Sequence, residues 1–338
     1  MIRVAVAQVG SRIFNTKATL SLKGDWCRKA REEGVQLLVF PEAYIGGYPK
    51  GLDFGARIGS RTSAGREDYL RYFQGAIEVP GEEVRENGRY AASMNAYLVV
   101  GVIERDARTL YCTALYFGPN GELLNKRRKL MPSASERLIW GFGDGSTIGT
   151  VNAPFGRFAA AICWENYMPS YRMAMHAQGI RLWCAPTVDD RDIWQATMRH
   201  IAYEGRCFVL SVCQFMTRAH APEQYDCIQG DEPDTVLIAG GGTVISPLGE
   251  VVAGPMYDCG GLLVADIDPE DCERGKFDLD VAGHYERPDV FRLEVDTTSR
   301  KAVSFRQSAP LPESSFDESL DGVCTNFRES VCERNVPV

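Results

Sequence analysis

Three residues of this chain stand where side chains of their type can do chemistry. Cys163 ends the apolar run 158–162 and is followed at once by the polar stretch Trp164-Glu165-Asn166-Tyr167. A strand that runs into a cysteine and then into a helix-like turn lifts the thiol to the mouth of a sheet. Backbone N–H groups lie beside it there, and a thiol so held is a candidate nucleophile. Glu42 follows the apolar run 35–41, and Lys129 closes the segment 123–128. Carboxylate, amine and thiol at three strand ends predict one site assembled from three distant segments.

The elements that must position these groups are legible from apolar patterning. Strands are expected at 4–9, 35–40, 97–103, 180–185, 207–213 and 261–267. Helices are expected at 15–33, with Asn15 as cap and Gly34 as stop, and at 82–95, 170–178 and 191–205. The last two end at the glycines Gly179 and Gly205. Segments 112–117 and 122–129 flank Pro119-Asn120-Gly121, a hairpin signal, and 243–252 reads as a second hairpin turning at Pro247-Leu248-Gly249. Residues 46–76 form a Gly-, Arg- and Tyr-rich segment without an assigned element. The whole is α/β, with mixed sheets and helices outside them. No linker divides the chain, so one domain is expected over 1–295. A polar extension follows over 296–338, enriched in Pro, Ser and Glu from about Pro310.

Composition excludes several classes. Of 338 residues, 45% are hydrophobic and 24% charged, and the net charge of −8 argues against nucleic acid as a partner. No apolar run approaches the ~20 residues of a membrane helix. Eleven cysteines are scattered without paired spacing, and the N-terminus has no signal-peptide pattern. Most of these thiols read as small buried hydrophobes in a reducing cytosol. The chain lacks phosphate-binding glycine motifs, a G-x-S-x-G elbow and H-E-x-x-H. None of its four histidines is spaced with cysteines as a zinc site would be, so neither metal nor cofactor is expected.

The ordered motifs Val39-Phe40-Pro41-Glu42-Ala43, Arg127-Arg128-Lys129-Leu130-Met131-Pro132 and Ala161-Ile162-Cys163-Trp164-Glu165-Asn166 resemble those of the nitrilases, in the carbon–nitrogen hydrolase superfamily. The stretches 136–141, 198–202 and 283–289 are also nitrilase-like, and the resemblance covers about residues 1–295. It implies a four-layer αββα sandwich, a Glu–Lys–Cys triad, and homodimers that build larger spirals. Tryptophan after the cysteine is the nitrilase-branch pattern. Arg127 departs from it, standing where many relatives carry a histidine.

Taken singly, Cys163 is a buried thiol, Glu42 a turn residue and Lys129 a solvated strand end; their joint order gives them other roles. Glu42 is expected to take the Cys163 proton as general base. Lys129 and the backbone N–H after the cysteine would hold the charge that gathers on a nitrile nitrogen. Glu136, seven residues past Lys129, resembles the family's second glutamate and would orient Lys129 or a water. Tyr48, Trp164 and Thr187 are the expected pocket residues, with pocket shape set by loops 46–66 and 186–194. The reading is a cytoplasmic nitrilase acting on a small-molecule nitrile. An amidase or carbamoylase on the same scaffold is the alternative within enzymes, and a catalytically silent binding scaffold the one outside them. For assembly, the helix at 170–178 is expected to pack one side on its own sheet and the other on a partner, with Met175 on the outer side.

Overall fold

Strands and helices alternate along the chain as the patterning predicts. In the computed structural model, which describes residues 1–300 and Val303, they run β1 (Ile2–Gln8), α1 (Thr16–Glu32), β2 (Leu37–Val39), β3 (Ala56–Arg57), β4 (Ser60–Arg61), α2 (Ser63–Gly75) and α3 (Glu82–Met94). Then come β5 (Tyr97–Asp106), β6 (Thr109–Phe117), β7 (Leu123–Arg128), β8 (Val151–Ala153), β9 (Gly156–Ala160), α4 (Pro169–His176), β10 (Ile180–Thr187) and α5 (Asp192–Gly205). The last elements are β11 (Phe208–Cys213), β12 (Phe215–Thr217), β13 (Val236–Ile245), β14 (Val251–Tyr257), β15 (Gly261–Ile267) and α6 (Asp271–Gly275). Asn15 caps α1 by accepting the Ala18 N–H at 3.0 Å, and Gly34, at φ +69°, lets the chain leave it. Most of the expected polar extension lies outside the described residues.

Two mixed sheets result. One has the order β15-β1-β2-β5-β6-β7, the other β12-β13-β11-β10-β9-β8 with β14 added against β13. Within the first, β1, β2 and β5 run parallel, while β6 and β7 follow as antiparallel meanders. β7 therefore runs in the direction of β2, and the residues following both emerge at the same end of the sheet. In the second, β9, β10 and β11 are parallel.

Alternate side chains of these strands enter different cores, which is why their sequences read as unbroken apolar runs. Val4, Val6, Leu37 and Val39 pack against Phe158, Leu182, Leu210 and Val212 of the other sheet. Their neighbours Ala5, Ala7, Leu38 and Leu98 pack against α1 and α3 through Leu20, Cys27, Val84 and Ala91. On the far side Ala159, Trp183 and Val209 meet Tyr171, Met175, Trp194 and Met198 of α4 and α5. Three cores separate four layers, α–β–β–α, and each fully buried aliphatic side chain in them contributes about 1.5–3 kcal/mol.

The structure corrects two expectations here. Segment 46–76 holds the short hairpin β3–β4 and the 13-residue helix α2. Met175 faces inward: it is 1% exposed in the core under α4, and the outer side carries half-buried Met173 and Ala174 instead, with Ala177 exposed just past the helix end. Among the described residues no helix is long and apolar enough to cross a membrane.

Candidate active site

The three strand-end residues meet between the sheets. Glu42 sits in an excursion of the chain just beyond β2, with Ala43 at φ +49°. On either side of it the backbone still bonds to β5, through Phe40 N–H to Val99 O at 2.8 Å and Ile45 N–H to Gly101 O at 3.1 Å. Gly101 is required where the excursion crosses β5: a Cβ there would come within 2.2 Å of Pro41 O and 2.7 Å of Glu42 Cα. Lys129 leaves β7 with its N–H on Cys112 O at 2.8 Å. Cys163 opens a 3-10 turn, Cys163–Tyr167, at φ +50°. A non-glycine residue there pays of order 1 kcal/mol in backbone strain, so the turn must be held by its surroundings.

Glu165 holds it. Its buried carboxylate accepts the Ile162 N–H at 2.8 Å and the Leu130 N–H at 2.6 Å, and pairs with both terminal nitrogens of Arg127 at 2.7 and 2.6 Å. The Arg127 guanidinium stacks over Tyr171, 4.5 Å from the ring centre. Asn166 adds bonds to Ala161 O and Cys163 O and accepts from Trp183. One carboxylate thus ties the cysteine turn to the residue after Lys129, across the two sheets. Arg127, the departure from the resemblance, is the cation of this clamp. Removing one partner of a buried pair typically costs about 3–5 kcal/mol. Glu165→Gln should therefore lower the urea midpoint clearly and slow turnover together; unchanged stability would show that the clamp is dispensable.

Lys129 is the hub. Its Nζ donates to Glu42 Oε1 at 2.7 Å and to Glu136 Oε2 at 2.8 Å, and lies 5.5 Å from the centre of the Trp140 ring. Glu136, in the 3-10 turn Ala134–Leu138, also accepts the Tyr48 hydroxyl at 2.9 Å and the Ser133 N–H at 2.7 Å. Burial opposes the Lys129 charge, but Glu42, Cys163 and Glu136 outweigh it and hold the ammonium well above its ordinary pKa. Burial pushes the Glu42 carboxyl up to about 7, against the pull of Lys129. Burial, with Glu42 beside it, raises the Cys163 thiol far above its usual value, so the resting sulfur keeps its proton.

A cavity of about 1050 Å³ reaches Cys163, Trp164, Glu136 and Tyr48, with walls drawn from loops 48–56 and 188–191 and from α2. That is the size of a small-molecule site. Trp164 stands in the wall, 44% exposed, its indole N–H on Asp189 at 2.9 Å and the Arg191 guanidinium 5.3 Å from its ring centre. Thr187 is fully buried against the thiol and is not one of the lining residues of the cavity; its hydroxyl faces the Cys163 sulfur and accepts the Asp189 N–H at 2.9 Å. Sequence reasoning missed Cys112, Trp140, Glu165 and Gln214, whose amide holds Glu42 O at 3.0 Å; a buried glutamate two residues past a candidate nucleophile was the one available signal. Among the described residues no group of His, Cys, Asp and Glu is arranged to hold a metal ion.

Two face-to-face mixed sheets with helices outside place the chain in the αββα sandwich class, with a charged cysteine site between the layers. Residues 3–277 match the carbon-nitrogen hydrolase family model, and the chain belongs to that family. It is 54% identical over 304 residues to an aliphatic nitrilase of Sinorhizobium fredii (strain HH103), covering 90% of this chain and 98% of that one. It is 49% identical over 313 residues to the bifunctional nitrilase/nitrile hydratase NIT4A of Lupinus angustifolius, covering 91% and 90%. Among solved structures, Saccharomyces cerevisiae Nit3, a member of branch 10 of the nitrilase superfamily, superposes with a TM-score of 0.64 at 19% identity over 85% of this chain and 97% of that one. That likeness concerns the fold.

Proposed function

We propose that this chain is a nitrilase, converting an organic nitrile and two waters to the carboxylic acid and ammonia through a covalent Cys163 intermediate. The observation that carries the reading is the contact of one buried ammonium with two carboxylates beside a buried thiol at the cavity floor. Glu42 takes the Cys163 proton as the sulfur attacks the nitrile carbon and passes it to the nitrogen, giving a thioimidate. Lys129 has three N–H donors and spends two on Glu42 and Glu136. The third is left for the nitrogen that gathers negative charge, alongside the backbone N–H of Trp164. Glu42 then activates a water; ammonia leaves and a thioester remains. A second water, activated in the same way, releases the acid. Glu136, itself held by Tyr48 and Ser133, keeps the ammonium in place.

Ammonia release from a panel of aliphatic, aryl and arylaceto nitriles tests this, with the amide assayed as product and as substrate. Efficient amide hydrolysis without nitrile hydrolysis would make the chain an amidase. Activity should also report Glu42. A base is useless while protonated, so kcat/KM should rise with pH through about 7 and then level, because Lys129 and the thiol titrate far higher. An acidic limb near the ordinary glutamate value would remove Glu42 from the role.

We place the protein in the cytosol; eight of the nine described cysteines are buried as free thiols, with Cys259 exposed. Assembly is proposed through the outer faces of α4 and α5. Ile193 and Tyr203 on α5 are 57% and 48% exposed, more apolar surface than a lone helix face needs. Tyr203→Glu should weaken a dimer and lower activity together in light scattering and turnover assays; a fully active wild-type monomer would refute the coupling.

A further inference from the structure

Cys112 lies on β6 with its sulfur 3.6 Å from Glu42 Oε1, the same oxygen that takes the Lys129 ammonium at 2.7 Å. It is 1% exposed, and its carbonyl fixes the Lys129 backbone. Burial, reinforced by the Glu42 charge, keeps this thiol protonated, so it can only donate to the carboxylate. The other oxygen, Glu42 Oε2, is equally buried and has no partner at ordinary hydrogen-bond distance, with the Cys163 thiol close enough to Glu42 to lower its pKa. An orphaned buried acceptor is costly and rare unless it is kept for use.

We infer that Cys112 is a positioning residue of the reaction: with Lys129 it occupies Oε1, which commits Oε2 to proton transfer with Cys163 and water and sets the proton affinity of Glu42. The inference rests on the role proposed for Glu42. The competing role is that of a small apolar filler between strands, common for a buried cysteine. The two differ in one respect. A donor to an ionised carboxylate lowers its pKa, and a filler does not.

The groups that face Glu42 are Lys129 from the end of β7, Glu136 from the 134–138 turn, Tyr48 from the loop after β2, Cys163 from its own turn, and Cys112. Cys112→Ala and Cys112→Val both delete the donor, and valine also fills the space. The pH dependence of kcat/KM for a nitrile is measured in each. Independently of any substrate, so is the pH dependence of Cys163 alkylation by iodoacetamide, followed on its own peptide with exposed Cys259 as the internal reference. Loss of the donor should move the acidic limb of both profiles upward by about half a unit in both variants, roughly a threefold change in proton affinity. Limbs that coincide with wild type, or a shift in alanine that valine abolishes, would overturn the inference. A wild type that hydrolyses no nitrile would instead defeat the proposed function, and the alkylation profiles would still decide the role of Cys112.

Discussion

Cys163→Ala is expected to lower nitrile hydrolysis by more than about a hundredfold, because no other group at the cavity floor can form the covalent intermediate. The fold should survive. The side chain is small, and the turn that carries it is held by Glu165, Asn166 and the Arg127 pair, none of which uses the sulfur. Alanine also tolerates the local φ of +50° no worse than cysteine does. Serine should fail nearly as badly. Its hydroxyl is far less acidic than a thiol, and Glu42, with a pKa near 7, is too weak a base to supply an alkoxide. Far-UV circular dichroism and a coupled ammonia assay check both points; residual turnover above a few per cent would move the nucleophile elsewhere.

The second large effect concerns Lys129. Arginine preserves the charge, yet Lys129→Arg should reduce kcat by about 10²–10³-fold. The pocket is fitted to a compact ammonium, with two carboxylate oxygens at 2.7 and 2.8 Å and Trp140 beneath. A planar guanidinium is longer, binds carboxylates edge-on in pairs and cannot meet Glu42 and Glu136 from one point. It would push Glu42 away from the thiol while still neutralising the acids, so stability should change less than activity. Methionine makes the contrast: it strands two buried carboxylates and should destabilise by about 3–5 kcal/mol. Near-normal turnover in the arginine variant would take Lys129 out of the chemistry.

The three principal site residues were legible because each is a polar group at the end of an apolar strand, a place where packing does not call for it. The central strands β1, β2, β5, β10 and β11 were legible for the related reason that both their faces are covered; the edge strand β15, half-buried, falls at Gly261–Ile267, as its apolar run suggests. What escaped was carried by residues with no anomaly of type. Cys112 lies in mid-strand among Leu110, Ala114 and Leu115 and looks like filler. Glu165 looks like a polar turn residue until Arg127, 38 positions away, is placed on it. Helix α2 hides because its buried side is aromatic and sparse, Tyr72 being the one large side chain fully enclosed. Thr187, expected in the pocket wall, lies fully buried against the Cys163 sulfur, since register decides which face of β10 it takes. Met175 was expected to face outward for the same kind of reason: its helix carries apolar residues on more than one side, and composition does not say which side meets the sheet.

Glu42 and Lys129 project from one sheet and Cys163 from the other, while the cavity wall comes largely from loops and from α2, outside both sheets. Substitutions at the exposed wall positions, such as Asp53, Arg61, Thr62, Arg66 and Arg191, leave the strand cores and the Glu165 clamp untouched. Substrate range is therefore free to drift, by descent or in a mutant library, at little cost to folding or to the bond-breaking step. A library confined to Asp53, Arg61, Thr62, Arg66 and Arg191 should return many folded, thiol-reactive variants with altered preferences. One spread over the strands should return mostly insoluble chains.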